Sequence, residues 1–208
     1  MPQYKLMYFD ARGRAEVIRM LFTLKGVEFE DFRMKREEWP AMKDNKELFP
    51  LGQVPILVID GKTMPHGKAI NRYLARTFGY YGKTEEQTNT IELVSETVDD
   101  IIQKIYPIFY DKDEEKKAKN MQEFKETVSV PQFKYLVNLF KEKGGPYFCG
   151  DDITLGDLIA FTIFDAIILT MKITDILDPY PELAAFYKRF NEDSPLSSYI
   201  KSRPVTFF

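Results

Sequence analysis

The sequence is poor in the features that staple a chain or anchor it. Its 208 residues hold one cysteine, Cys149, which excludes an internal disulfide. No basic residue stands beside Cys149 in sequence, so it reads as a small buried side chain rather than a reactive thiol. Long hydrophobic runs are also missing. The most apolar stretch, Leu158 to Met171, is too short to cross a bilayer and carries Asp165 in its middle, so it reads as a buried core helix. Nor is there an excess of one charge. Lys and Arg number 29 against 32 Asp and Glu, and a net charge of -3 builds no basic field for a phosphate backbone, so nucleic acid is not a partner. The opening Met1-Pro2-Gln3-Tyr4-Lys5 has no apolar secretory core, and with the single cysteine it predicts a reducing, cytoplasmic setting. Low-complexity tracts and internal repeats do not stand out either, so order is expected throughout.

What is present alternates between two patterns. Tyr4 to Phe9 is an aromatic run suited to a strand, and Asp10 to Gly13 follows as a turn. From Arg14 to Lys25, Val17, Ile18, Leu21 and Leu24 recur at helical spacing, and Gly26 stands where a helix C-terminus is capped. Val27 to Arg33 reads as a second strand, parallel to the first because a helix joins them. Glu37 to Phe49 has no clear period and predicts a loop with a short helix. Val54 to Ile59, the turn Asp60-Gly61 and Lys62 to Met64 then predict a hairpin, and Gly67 to Phe78 a helix closed by Gly79. The first domain, residues 1–79, is therefore βαβ followed by ββα. After a linker at 80–84, residues 85–208 read as an all-helical domain. Its helices are expected at about 86–110, 114–143, 155–170, 181–192 and 196–202, the third opened by a capping box at Thr154-Leu155-Gly156-Asp157.

Several short motifs fall in order along this frame. They are Tyr8-Phe9 with Gly13-Arg14-Ala15-Glu16, Trp39-Pro40 with Lys43, Gly52-Gln53-Val54-Pro55-Ile56-Leu57, Asn71-Arg72-Tyr73-Leu74-Ala75-Arg76, Thr154-Leu155-Gly156-Asp157-Leu158, and Arg203-Pro204. In this order and spacing they resemble the sigma-class, prostaglandin D synthase-like glutathione S-transferases over essentially the whole chain. The resemblance implies a thioredoxin-like α/β domain that binds glutathione, followed by an all-α bundle that receives an apolar co-substrate. The activity implied is detoxifying conjugation of the glutathione thiolate to apolar electrophiles. Glutathione serves as co-substrate, with no metal required.

The chemistry needs a thiolate at neutral pH, although a free thiol titrates near about 8.5. By the resemblance Tyr8 donates a hydrogen bond to the sulfur. A shift of about 2 units asks for roughly 2.7 kcal/mol, more than one exposed hydrogen bond supplies. Arg14, at the start of the first helix, is implied as the second contributor, by charge and by the helix dipole. Val54, before a proline that this fold class holds in cis, is implied to pair its backbone with the cysteinyl part of the peptide. Pro55 fixes that turn and Gln53 contacts the peptide from the loop before it. Trp39 and Lys43 are implied to meet the glycyl carboxylate.

One pair departs from the family pattern. Where the family shows Gln-Ser before the third helix, this chain has His66-Gly67, so the hydroxyl that holds the γ-glutamyl carboxylate is missing. Backbone N–H groups at the helix start remain able to bind an anion, and His66 would help if protonated. Losing one hydrogen bond to a charged group costs about 1.5–3 kcal/mol, so weakened glutathione binding is expected. Asp100 matches the carboxylate that family members offer across a dimer interface to the γ-glutamyl amine, which implies a homodimer. Glu96, Asp99 and Asp100 resemble a metal-holding cluster of some members, but Glu96 replaces the usual aspartate and no metal site is assigned. Ile105, Tyr106, Phe109, Phe207 and Phe208 are expected to line the electrophile pocket. Two alternatives stay open: a glutathione-dependent prostaglandin isomerase, and a low-activity structural protein of the crystallin kind.

Overall fold

The computed structural model describes residues 2–206. Phe207 and Phe208, expected to line a pocket, lie outside the described residues. By its contacts the chain divides into two compact units, one holding the chain up to Tyr80 together with the segment from Pro195 onward, the other Tyr81–Ser194.

In the first unit, strands β1 (Tyr4–Phe9), β2 (Glu30–Met34), β3 (Ile56–Ile59) and β4 (Lys62–Pro65) form one sheet in the order β2-β1-β3-β4. β1 runs parallel to β2, while β3 is antiparallel to both β1 and β4. The central β1 is buried at Tyr4, Leu6, Met7 and Tyr8, so both of its faces are covered and, apart from Lys5, its residues are apolar or aromatic rather than alternating. Helices α1 (Glu16–Lys25) and α3 (Gly67–Phe78) pack against each other, burying Ile18, Leu21 and Phe22 from one and Ile70, Leu74 and Phe78 from the other. Between β2 and β3 lies a one-turn helix, α2 (Trp39–Met42). The βαβ-ββα order read from the sequence is present.

Two edges differ from the expected ones. β2 begins at Glu30 rather than Val27, because Phe29 stacks on Phe22 at 4.3 Å and the Val27 N–H is spent on the carbonyl of Phe22 at the end of α1. β3 begins at Ile56 rather than Val54, because the Val54–Pro55 bond is cis and the chain turns there.

The second unit contains α4 (Glu85–Phe109), α5 (Glu114–Glu123), α6 (Val130–Lys143), α7 (Leu155–Asp165) and α8 (Pro181–Glu192). Thr84 caps α4 by accepting the Gln87 N–H, and Ile91, Val94, Val98, Ile101 and Ile105 make its buried stripe. That stripe meets α7 at Gly156, where an added Cβ would stand 3.4 Å from the Ile91 Cα, so the absent side chain lets the two backbones approach. Asp157 is fully buried. Its carboxylate accepts the N–H of Phe148 at 2.8 Å and the N–H and hydroxyl of Thr154, each at 2.7 Å. The capping box read from the sequence therefore forms, and it also ties down the loop before α7.

Two expectations need correction. The helix read as continuous over 114–143 is interrupted by a π-helical turn at Phe124–Val128, before α6 restarts with Pro131, whose ring nitrogen has no hydrogen to donate. The helix expected to reach residue 170 ends as α-helix at Asp165 and continues as a π turn over Ala166–Thr170. By its contacts the segment from Pro195 onward, with its helix α9 (Ser197–Ser202), groups with the first unit. Its polar side chains are recruited there by a buried glutamate, Glu16.

Candidate functional site

Three backbone segments of the first unit converge at the C-terminal end of β1. The first is β1 itself with the turn that follows. Tyr8 is 7% exposed, and its hydroxyl accepts the Arg14 N–H at 3.2 Å. Gly13 adopts a φ of +39°, and a Cβ there would stand 2.7 Å from the Tyr8 hydroxyl oxygen, so only glycine lets the turn close over the phenol. Residues Gly13–Ala15 form a 3-10 turn that leads directly into α1. It is the backbone N–H of Arg14 that touches Tyr8; the residue is otherwise exposed.

The second segment is the loop before β3. Val54 is 3% exposed, Pro55 is buried, the bond between them is cis, and Gln53 next to them is exposed. The third is the N-terminus of α3. His66, an exposed residue with a φ of +70°, precedes it and provides no side-chain cap, so the first-turn N–H groups of α3 have no partner from that side chain. A Cβ on Gly67 would stand 3.1 Å from Pro55 Cγ and 3.5 Å from the Arg14 carbonyl oxygen, which brings all three segments to one place.

Trp39 and Lys43 approach along a chain of rings. Tyr8 packs edge-on against Phe9 at 5.6 Å, Phe9 against Trp39 at 5.8 Å, and Trp39 against Phe49 at 5.0 Å. Lys43 donates its N–H to the Trp39 carbonyl at 2.9 Å, so the two residues lie one turn apart on the same side, Trp39 half-buried and Lys43 exposed. Nine of the residues expected to form the site thus belong to the first unit: Tyr8, Arg14, Trp39, Lys43, Gln53, Val54, Pro55, His66 and Gly67. Asp100, the tenth, lies exposed on α4 in the second unit; the expected pocket residues Ile105, Tyr106 and Phe109 are on the same helix, Ile105 fully buried and the other two half-buried.

A charged network behind the Gly13–Arg14 turn went unassigned in the sequence. Glu16 and Arg19, 2% and 1% exposed, face each other across one helical turn, and Arg19 also grips Asp31 on β2 at 3.0 Å. The signal was legible only as two charged residues inside the buried period of α1. Tyr199, which donates to Glu16 at 3.0 Å, has its phenol pushed well above the ordinary value, first by burial and then by that carboxylate. Burial also pushes the Cys149 thiol up, to about 11, which agrees with a structural role. Among the described residues no three His, Cys, Asp or Glu side chains gather as metal ligands, and no helix is long and apolar enough to cross a membrane.

Residues 4–76 match the model of the glutathione S-transferase N-terminal domain, and residues 99–203 that of the glutathione S-transferase C-terminal domain. A solved structure described as a Fasciola hepatica sigma class GST superposes with a TM-score of 0.90 at 36% identity, over 100% of this chain and 99% of that one. S-crystallin SL11 of Nototodarus sloanii is 34% identical over 100% of both chains. The hematopoietic prostaglandin D synthase of Gallus gallus is 32% identical over 99% of both. With both domain models matched in order along a βαβ-ββα unit and a helical unit, this chain belongs to the glutathione S-transferase family.

Proposed function

We propose that this glutathione transferase holds glutathione at the convergence of β1, the Val54–Pro55 loop and the start of α3, and ionises its thiol through the Tyr8 hydroxyl. The observation that carries the reading is the Tyr8–Arg14 contact. An N–H bond into the phenol oxygen orients the hydroxyl and polarises it, so that its own hydrogen becomes a better donor to a sulfur anion. The anion form is what gains, so the thiol pKa falls. The first-turn N–H groups of α1 and α3 add positive potential from two helix N-termini.

The rest of the tripeptide follows from chemistry. Val54, just before β3, offers its backbone N–H and C=O for strand-like pairing with the cysteinyl unit. Lys43 and the Trp39 indole N–H suit the glycyl carboxylate, and Gln53 the peptide between. The N-terminus of α3, with His66 and Gly67, takes the γ-glutamyl carboxylate. Asp100 takes the γ-glutamyl amine of a neighbouring subunit in a homodimer. Apolar electrophiles are the co-substrates, the reaction is conjugation, no metal takes part, and the setting is cytoplasmic.

A second reading, a structural protein with little activity, is favoured by one observation. His66-Gly67 removes a hydroxyl from the carboxylate site, and an S-crystallin is among the relatives. Retention on immobilised glutathione followed by a conjugation assay separates the two. Binding with turnover supports the enzyme. A folded protein that neither binds nor turns over supports the structural reading. Sedimentation of the same sample tests the dimer.

A further inference from the structure

The turn that meets Tyr8 has no side-chain cap of its own. Backbone bonds from the Ala11 N–H to Phe9 at 2.7 Å and from the Ala15 N–H to Arg12 at 3.2 Å hold it locally, and two sources of order from other positions add to them. One source is Arg19, whose Nη1 donates to the carbonyls of Ala11 at 2.7 Å and Arg12 at 3.4 Å. The other arrives from the far end of the chain. Arg203 Nη1 and the Tyr199 hydroxyl both donate to Glu16 Oε1 at 3.0 Å, while Arg19 Nη1 reaches Oε2 at 3.4 Å. The Arg203 and Glu16 side chains are 6% and 3% exposed, so this is a desolvated ion pair. Nearby, the Arg12 N–H donates to Thr206 Oγ1 and Arg12 Nη2 to the Thr206 carbonyl, each at 3.3 Å. Arg14, whose N–H meets Tyr8, lies midway between Arg12 and Glu16, the two points at which the C-terminal segment takes hold.

We propose that Arg203, seconded by Tyr199, is a positioning residue for the thiolate site: acting through Glu16, it holds the Gly13–Arg14 turn against the Tyr8 hydroxyl. The C-terminal segment is then part of the active-site architecture and not merely the end of the helical bundle. The inference rests on the reading of Tyr8 as thiolate stabiliser. Its physical basis is the stiffness of a buried pair. A carboxylate enclosed by three donors has one favourable arrangement, and removing a donor leaves a buried charge that must move or take up a proton. Glu16 is two residues from Arg14, so its movement is passed directly to the N–H at 3.2 Å from the phenol, where hydrogen bonding is already at the long end of its range.

The test uses the full chain and follows conjugation of glutathione to a chlorodinitroarene across pH 5.5 to 9 for Arg203→Met, Arg203→Lys, Tyr199→Phe and Tyr8→Phe. Misplacement of about 1 Å can cost as much as 10²-fold, so Arg203→Met is expected to lose roughly tenfold in kcat/KM at neutral pH. Its pH profile should move upward, Arg203→Lys should recover part of the loss, and adding Arg203→Met to Tyr8→Phe should cost little more. A folded Arg203→Met protein with an unmoved pH profile, or with the same proportional loss in the Tyr8→Phe background, overturns the proposal. If Arg203→Met does not fold, Tyr199→Phe removes one hydroxyl at constant shape; an upward move of its profile supports the proposal and an unmoved profile overturns it. Should Tyr8→Phe shift the profile while the others do not, this inference alone falls. Should Tyr8→Phe itself shift nothing, the Tyr8 reading falls and takes this inference with it.

Discussion

Gly67→Ser puts back, at the first residue of α3, the hydroxyl that the sigma-class pattern places there. The gain and the cost can both be read from the structure. A hydroxyl donating to a carboxylate contributes about 1.5–3 kcal/mol, or roughly one to two decades in the dissociation constant of glutathione. Against it stands the new Cβ, 3.1 Å from Pro55 Cγ and 3.5 Å from the Arg14 carbonyl oxygen. That is tight by a few tenths of an ångström on the proline side only, and Gly67 does not occupy the left-handed region, so no backbone strain is added. Overpacking of this kind costs about 1 kcal/mol at the lower end of its range, less than the hydroxyl supplies. Gly67→Ala isolates the steric part, since it adds the Cβ without the oxygen. Calorimetric titration with glutathione should therefore show Gly67→Ser binding at least about tenfold tighter than Gly67→Ala, and tighter than the parent. Equal affinities for the Ser and Ala variants, both folded, would refute the assignment of the α3 N-terminus to the γ-glutamyl carboxylate.

Gly13→Ala would place a methyl group 2.7 Å from the Tyr8 hydroxyl at a φ of +39°, so the turn must open. Conjugation at neutral pH should fall by about 10²-fold, while thermal melting shifts only modestly; full activity would contradict the close approach. Asp157→Ala leaves the N–H groups of Phe148 and Thr154 without their acceptor, at about 1–3 kcal/mol each, and denaturant unfolding should show a loss of roughly 3 kcal/mol. Burial holds the Asp157 carboxyl at about 6, above its ordinary 3.8, against the downward pull of the Phe148 and Thr154 hydrogen bonds. A carboxyl raised in the folded state contributes stability that is complete below 3.8 and lost as pH rises to about 6. Unfolding midpoints measured across that window should decline for the parent more steeply than for Asp157→Ala, and parallel curves would count against the shift.

Local periodicity made much of this molecule legible before its coordinates. The run Tyr4 to Phe9, the helical spacing to Lys25 and the Asp60-Gly61 turn each act through nearest neighbours, and the elements they predict are present. The Thr154–Asp157 box is equally local, and it forms. What stayed hidden depends on groups distant in sequence. Phe29 leaves the strand to stack on Phe22, and nothing in the local alternation of Val27 to Arg33 signals that preference. The break between α5 and α6 is marked locally only by Pro131, since the polar α5 buries no residue and carries no apolar period to compare with α6. The link from Arg203 and Tyr199 to Glu16 spans more than 180 residues, so no local pattern displays it. Within the site, the motif named Tyr8 and Arg14 by side chain, whereas the contact between them runs through a backbone N–H that no sequence pattern displays.

The central claim concerns one ionisation, and ultraviolet absorbance of the thiolate reports it directly. Glutathione bound to the parent protein should titrate about 2 units below the free thiol value of roughly 8.5, and bound to Tyr8→Phe it should titrate close to that free value. The same midpoint for both proteins, with glutathione bound to each, would contradict the account.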